Sequence, residues 1–139
     1  MEFKITSEFT FFQQASRQGF LTANYHDLVA ILGEPVDTGV DFVTGEWLLT
    51  DSNGNLVCIY DWKMTDLYDE SYPSADEFRE QKYAEFCVGG FSEQDAINLH
   101  QWLKPQLTGK IYGFVPESEY QLRLSNCLPL HGRLVTAKI

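Results

Sequence analysis

Three charged residues stand where two strands are predicted to begin or end. Asp61-Trp62-Lys63 follows an apolar run, and Asp41 lies twenty residues earlier at the start of another strand-like run. Residues two apart in a strand point to the same face, so Asp61 and Lys63 are predicted to lie side by side. Carboxylate oxygens are ligands for hard cations such as Mg²⁺, and a neighbouring cation stabilises charge that develops during hydrolysis. These residue types are the ones that metal-dependent hydrolysis needs.

The order of helix, strand, strand and strand around these residues resembles the restriction-endonuclease-like nucleases, whose signature is PD…(D/E)xK. The resemblance implies that Asp41 and Asp61 hold Mg²⁺ and that Lys63 activates or orients the attacking water. The sequence departs from the signature because Val40, not proline, precedes Asp41. The alternative is that these are strand-end charges in solvent. A net charge of −10 also disfavours a DNA-cutting surface, unless the basic C-terminal residues supply phosphate contacts.

A second candidate site is the acidic stretch at residues 61–85, which holds eight acidic and three basic residues. Aromatic residues, which anchor many protein interfaces, are interleaved with the acids. Carboxylates spaced along a rigid surface can imitate a phosphate backbone and bind a basic channel. The alternative is a solvated face that keeps a small protein soluble. The predicted partner-binding residues are Asp66, Tyr68, Asp69, Glu70, Tyr72, Asp76, Glu77 and Glu80.

Composition narrows the class of protein. The chain has 139 residues, 44% of them apolar, which suffices for one domain with a hydrophobic core. No apolar run approaches the ~18–20 residues of a membrane span, and the N-terminus lacks a signal-peptide pattern. We therefore expect a cytoplasmic protein that binds no membrane. The charge of −10 also argues against direct binding of nucleic acid.

The cysteines and histidines give no metal or redox pattern. Cys58, Cys87 and Cys127 are odd in number, have no C-x-x-C spacing and lie beside apolar residues, which indicates reduced, buried thiols. A catalytic thiol is the alternative, and it would need a histidine and a carboxylate brought close by the fold. The three histidines are scattered without H-x-x-x-H or H-E-x-x-H spacing. We therefore expect no cofactor.

Hydrophobic periodicity predicts alternating helices and strands. A helix is expected at Tyr25–Leu32, capped by Asn24 and ended by Gly33 and Pro35. A hairpin is expected at residues 46–51 and 56–62, with Asn53-Gly54 in a type I′ turn and the second strand central in its sheet. Other predicted strands are residues 3–5, 40–44, 84–88, 111–115, 120–124 and 134–139, residues 9–12 are ambiguous, and further helices are expected at 75–82 and after Ser92.

These elements predict an α+β fold, an antiparallel sheet with two or three helices packed on it. One domain is expected over residues 1–139, with an α+β core at about 18–104 and a β-rich tail at about 108–139. Exposed strand edges in so small a sheet favour a homodimer, although the sequence leaves the oligomeric state open.

Several short motifs together resemble a group of small phage and prophage proteins that lack an assigned activity. They are Leu32-Gly33-Glu34-Pro35, Glu46-Trp47, Ile59-Tyr60-Asp61-Trp62-Lys63 and Val88-Gly89-Gly90. The resemblance covers about residues 18–104. It implies a viral origin and a core of a helix, three strands and a helix, but no chemistry. By analogy, small phage accessory proteins often bind and block a host or defence protein.

The leading prediction is a non-catalytic, phage-type accessory protein that inhibits a host or defence protein with a basic surface. The acidic aromatic stretch is its predicted contact. One alternative is a protein that sequesters a small nucleotide, with aromatic residues stacking on the base and basic residues meeting the phosphates. Those basic residues are Lys110, Arg123, Arg133 and Lys138. The other alternative is the nuclease that uses Asp41, Asp61 and Lys63.

Overall fold

A computed structural model describes residues 1–7 and 15–127 of the chain. Its strands are β1 (Phe3–Ile5), β2 (Ser16–Ala23), β3 (Glu46–Asp51), β4 (Leu56–Tyr60), β5 (Ala84–Gly90) and β6 (Tyr112–Pro116). Its helices are α1 (Tyr25–Leu32), α2 (Ala75–Arg79), α3 (Glu93–Leu103) and α4 (Glu117–Cys127), with a 3₁₀ turn at Lys104–Leu107 after α3.

The six strands form one antiparallel sheet in the order β1-β3-β4-β5-β2-β6. The predicted α+β fold, a single domain with helices on an antiparallel sheet, is therefore confirmed. β4 lies between β3 and β5, as its apolar residues on both faces predicted.

The first face of the sheet carries the main hydrophobic core. Inward residues of the strands, including Leu21, Trp47 and Ile59, pack against the apolar sides of α1, α2 and α3. The predicted caps form: Asn24 accepts from the backbone N–H of His26 and Asp27 at the start of α1. Ser74 and Glu77 form a reciprocal capping box at the start of α2.

The second face is apolar beneath a thinner cover. Leu48 and Cys58 are buried there, with Leu56 and Tyr60 packed against them. A bulge between Arg17 and Gly19 keeps Arg17 and Phe20, three residues apart, on this same face. Helix α4 covers part of it, since the Tyr120 ring lies 4.6 Å from the Phe20 ring. The loop at residues 37–45 lies over the other end.

The hairpin of β3 and β4 is confirmed, but its predicted turn type is wrong. Only Gly54, not Asn53, has a positive φ, whereas a type I′ turn needs two such residues. The Gly54 N–H donates to Asp51 O, and Asp51 N–H donates to Asn55 O. This is a three-residue loop with a glycine bulge. The Asp51 side chain favours it by accepting from the N–H groups of Asn53 and Asn55.

Three further assignments change. Residues 40–44, predicted as a strand, form a loop, because Phe42 takes a left-handed φ of 63° that ends any extended run. Residues 120–124, also predicted as a strand, lie in α4, where Tyr120 and Leu124 are one helical turn apart. Strand β2 was not predicted. The ambiguous residues 9–12 and the predicted strand 134–139 lie outside the described residues.

No helix within residues 1–7 and 15–127 is both long and apolar enough to cross a membrane.

Candidate functional site

We define the acidic surface as the exposed side chains of residues 66–80. These side chains project from a loop and from helix α2, which follows the loop. The Asp66 N–H donates to Pro73 O and closes the loop, while Tyr68 and Tyr72 N–H groups donate to Thr65 O and Asp69 O. Thr65 is fully buried and anchors the loop at its start. All eight predicted partner-binding residues are exposed. They therefore project from backbone that is fixed by its own hydrogen bonds.

Two of these acids have a structural role besides their charge. Asp69 accepts from both the N–H and the hydroxyl of Ser71, which lowers the pKa of Asp69. Glu77 accepts from the Ser74 N–H in the capping box, which lowers the pKa of Glu77. Asp66 and Glu70 make no side-chain hydrogen bond or ion pair with any described residue. Their charges are therefore free to meet a partner.

An aromatic ridge, which we define as Phe42, Tyr68 and Tyr72, borders the acids. The rings pack edge to face, with centroids 5.3 Å apart for Phe42 and Tyr68 and 5.6 Å for Tyr68 and Tyr72. Both tyrosines are 41% exposed. Each ring holds the next in place, so the ridge presents rigid apolar area with little rotamer freedom to lose on binding.

The Lys63 side chain packs against this ridge and against Trp62. Its Nζ lies 4.3 Å from the Trp62 ring centroid, 4.9 Å from that of Tyr68 and 5.9 Å from that of Phe42. Lys63 has a φ of 61°, and its N–H donates to Phe42 O. The strand therefore does not continue to Lys63, and the expectation that Asp61 and Lys63 share a strand face is wrong.

Asp61 is a buried structural carboxylate, 2% exposed, directly after β4. Its Oδ1 accepts from the Thr44 N–H at 2.7 Å and from the Gly45 N–H at 3.4 Å, and its Oδ2 accepts from the Thr44 hydroxyl. Asp41 is exposed in the loop, not at the start of a strand. Within residues 1–7 and 15–127, no three His, Cys, Asp or Glu side chains are grouped closely enough to hold a metal ion. Binding a metal at Asp61 would require the loop to give up these hydrogen bonds.

A cavity of about 710 Å³ opens on the second face, between the loop at 37–45 and α4. Sequence reasoning did not identify it. Its lining includes three acidic residues, one basic residue and two aromatic residues: Asp41, Glu46, Glu117, Arg17, Tyr60 and Trp62. The one available signal was Glu46, an acid directly before the apolar run Trp47–Leu49.

Glu46 is the unusual residue of this cavity, because it is a carboxyl only 5% exposed. The Thr38 hydroxyl donates to its Oε1 at 2.6 Å, and Cys58 lines the same cavity. Burial raises the pKa of Glu46, an effect that the Thr38 hydrogen bond partly opposes. No lysine, arginine or histidine among the described residues lies within ion-pair distance of Glu46.

Arg17, by contrast, is neutralised where it stands. Its Nε and one terminal nitrogen donate to the two Glu117 oxygens at 2.8 and 3.1 Å. Its guanidinium also lies 4.5 Å from the Phe20 ring centroid and 5.2 Å from that of Tyr120. The hydrogen bond from Arg17 lowers the pKa of Glu117.

The thiols near the cavity are buried, as predicted for Cys58 and Cys87. Burial raises the pKa of Cys87 to about 12 and that of Cys58 well above its usual value, so neither is a ready nucleophile. The side chain of Cys127 lies outside the described residues.

The basic residues predicted to meet nucleotide phosphates are engaged where the structure describes them. Arg123 pairs with Glu119 at 3.3 Å, and Lys110 lies 3.9 Å from Asp27. Arg133 and Lys138 lie outside the described residues. Gly89, which precedes α3, serves packing: a Cβ there would come within 2.9 Å of Cys58 Sγ.

No family model matches this sequence, and no curated protein is significantly similar to it.

Proposed function

We propose that this protein acts without catalysis, by binding a protein with a basic, nucleic-acid-binding surface and blocking it. The acidic surface and the aromatic ridge are the proposed contact. The observation that carries the proposal is their juxtaposition, since Asp66 and Glu70, which are exposed and make no ion pair among the described residues, stand in the same loop as rings that pack on one another. Carboxylates supply long-range attraction and register, and buried aromatic rings supply most of the binding energy of an interface.

The proposed partner follows from this chemistry. A surface with net negative charge is complementary to a groove that ordinarily takes phosphates, and it competes with nucleic acid for that groove. We further propose that the protein is a phage-type accessory protein of the host cytoplasm and that its target is a host or defence protein. The motif resemblance at residues 18–104 supports this origin.

The experiment compares two charge-reversal variants of equal net charge. The double variant Asp66→Lys with Glu70→Lys changes the acidic surface and leaves Asp69 and Glu77 in place. The side chains of these two residues accept hydrogen bonds from backbone N–H groups. Glu2→Lys with Glu85→Lys changes exposed acids elsewhere. Each reversal raises the net charge by two, so both variants carry −6. Tagged wild type and both variants are used to capture partners from bacterial lysate at low and moderate salt.

The proposal expects a stoichiometric partner that wild type and the Glu2/Glu85 variant retain and the Asp66/Glu70 variant loses. Rising salt and added duplex DNA should both displace it, because each competes for the basic groove. Equal capture by all three proteins, or a complex indifferent to both salt and DNA, would contradict the proposal.

A further inference from the structure

In the part of the chain that the structure describes, acidic side chains outnumber basic ones in the lining of the cavity on the second face. Arg17 is the positively charged residue in its lining, and Glu117 already neutralises it through two hydrogen bonds. Glu46 and Asp41 then remain, and neither has a cationic partner among the described residues. A ligand that balances this lining must carry positive charge.

The carboxyl of Glu46 is buried in the cavity wall and does not lie on the exposed surface. A buried carboxyl without a cation costs stability, because the charged form loses its hydration. The Thr38 hydroxyl holds the carboxyl group of Glu46 in position without neutralising it. A carboxyl held in this way is the arrangement expected of a site that a cation completes, because a bound cation favours the ionised form that burial alone disfavours.

The walls and the size of the cavity fit the same ligand class. Tyr60 and Trp62 line it, and aromatic faces attract desolvated cations. Gly89 lies against Cys58 and Tyr60, so any larger residue would disturb the wall that these two side chains form. A volume of about 710 Å³ lies within the range of small-molecule sites.

We propose that this cavity binds a small organic cation, a protonated amine or a guanidinium compound, with Glu46 as its ionic partner and Asp41 at the mouth. The site is separate from the acidic surface, so it stands or falls independently of the proposed function.

The test is calorimetric titration of the full chain with agmatine, which carries both a guanidinium and an amine, and with 1,4-diaminobutane. The control ligand is 1,4-butanediol, which has the four-carbon chain of the diamine without its charge. Three variants are compared with wild type: Glu46→Gln, Asp41→Asn and Glu85→Gln. Glu46→Gln keeps the volume and can still accept from Thr38, whereas Glu85→Gln removes an exposed acid outside the cavity lining.

Wild type and Glu85→Gln should bind at least one of the two cations and not the diol. Glu46→Gln should weaken binding about tenfold or more, since it removes a charge-assisted hydrogen bond. Asp41→Asn should weaken binding less, because Asp41 is exposed. Misfolding would not account for that loss, because the Asp41 side chain lies in a loop and makes no hydrogen bond with any described residue. Absence of binding of either cation to wild type, equal affinity in Glu46→Gln, or equal affinity for the diol would overturn the proposal.

Discussion

Arg17 and Glu117, one hundred residues apart, form a two-point ion pair with contacts of 2.8 and 3.1 Å. The pair joins the start of β2 to the first turn of α4, and both partners are mostly buried. It therefore fastens α4 across the second face of the sheet. It also neutralises the positive charge of Arg17 beside the cavity, and Glu46 then has no counter-ion among residues 1–7 and 15–127.

We expect Glu117→Gln to lower the free energy of unfolding by about 1 kcal/mol at neutral pH, because one charge-assisted contact is lost. Since Arg17 lowers the pKa of Glu117, this stabilisation should be present above the usual glutamate pKa and disappear as pH falls through the lowered value. Urea unfolding at several pH values measures both effects. Glu119→Gln on the same helix is the matched control, because its pair with Arg123 is more exposed and should matter less.

Asp61→Ala should lower the free energy of unfolding by about 2–4 kcal/mol, because it leaves two backbone N–H groups and a hydroxyl without their acceptor. Asp66→Ala, an exposed acid without side-chain partners, should change it by less than about 0.5 kcal/mol. Equilibrium urea unfolding of both variants checks this. Equal stability of Asp61→Ala and wild type would show that the loop does not depend on this carboxylate.

A test for nuclease activity needs a variant that removes a candidate metal ligand and leaves the loop at residues 37–45 intact. Loss of Mg²⁺-dependent cleavage in Asp61→Ala would report a damaged loop as readily as a missing metal ligand. Asp41→Asn is the cleaner variant, because Asp41 is exposed and makes no hydrogen bond that holds the loop.

Glu46→Gln should make the protein more stable than wild type at alkaline pH. Burial raises the pKa of Glu46, so between the usual and the raised pKa the native state retains a proton that the unfolded state has released, and above the raised pKa Glu46 is ionised in both states. Wild-type stability should therefore fall as pH rises above the usual glutamate value through the raised one. The charged and titratable neighbours, Asp61, Cys58 and Arg17, are unchanged in the variant.

Thermal unfolding of both proteins between about pH 5 and about pH 9 measures this difference. The gap in Tm should be small at the acidic end and widen towards the alkaline end. A gap that stays constant across this range would show that Glu46 has the same protonation state in both folded and unfolded chains.

Tyr68→Ala with Tyr72→Ala should weaken the proposed partner complex about tenfold or more, because the aromatic ridge loses two of its three rings. Tyr83→Ala is the control, since Tyr83 is 55% exposed but lies outside the ridge. Affinity of purified partner for each variant is the measurement. Equal loss in both proteins would assign the effect to general surface change, and no loss in the double variant would remove the ridge from the interface.

Local sequence signals predicted most elements where a short-range cause exists. Asn24 and Ser92 begin helices because their side chains satisfy the first N–H groups, which needs only neighbouring residues. The two-sided apolar pattern of residues 56–60 predicted a central strand for the same local reason. Residues 120–124 were misassigned because a short apolar and polar alternation does not separate a strand from a helix.

Some features of the candidate sites could also be predicted from local sequence, and others depend on contacts between residues distant in the chain. Exposure of the acidic surface followed from its composition, because charged residues are seldom buried without partners. The roles of Asp61 and Lys63 did not follow, because both depend on a loop that folds back from residues 42–45. Asp61 accepts from Thr44 and the Lys63 N–H donates to Phe42 O, so these partners lie about twenty residues away in the chain. Strand periodicity carries no information about them.

The α+β class, the helix caps, the hairpin and the exposed acids could all be predicted from the sequence, since each depends on residues within a few positions of one another. The tertiary structure was needed to show that Asp61 holds a loop, that Lys63 packs on aromatic rings, and that Arg17 pairs with Glu117, so that no described cation pairs with Glu46. Charge compensation depends on distance in space, and the pairing of strands and helices far apart in the chain sets that distance.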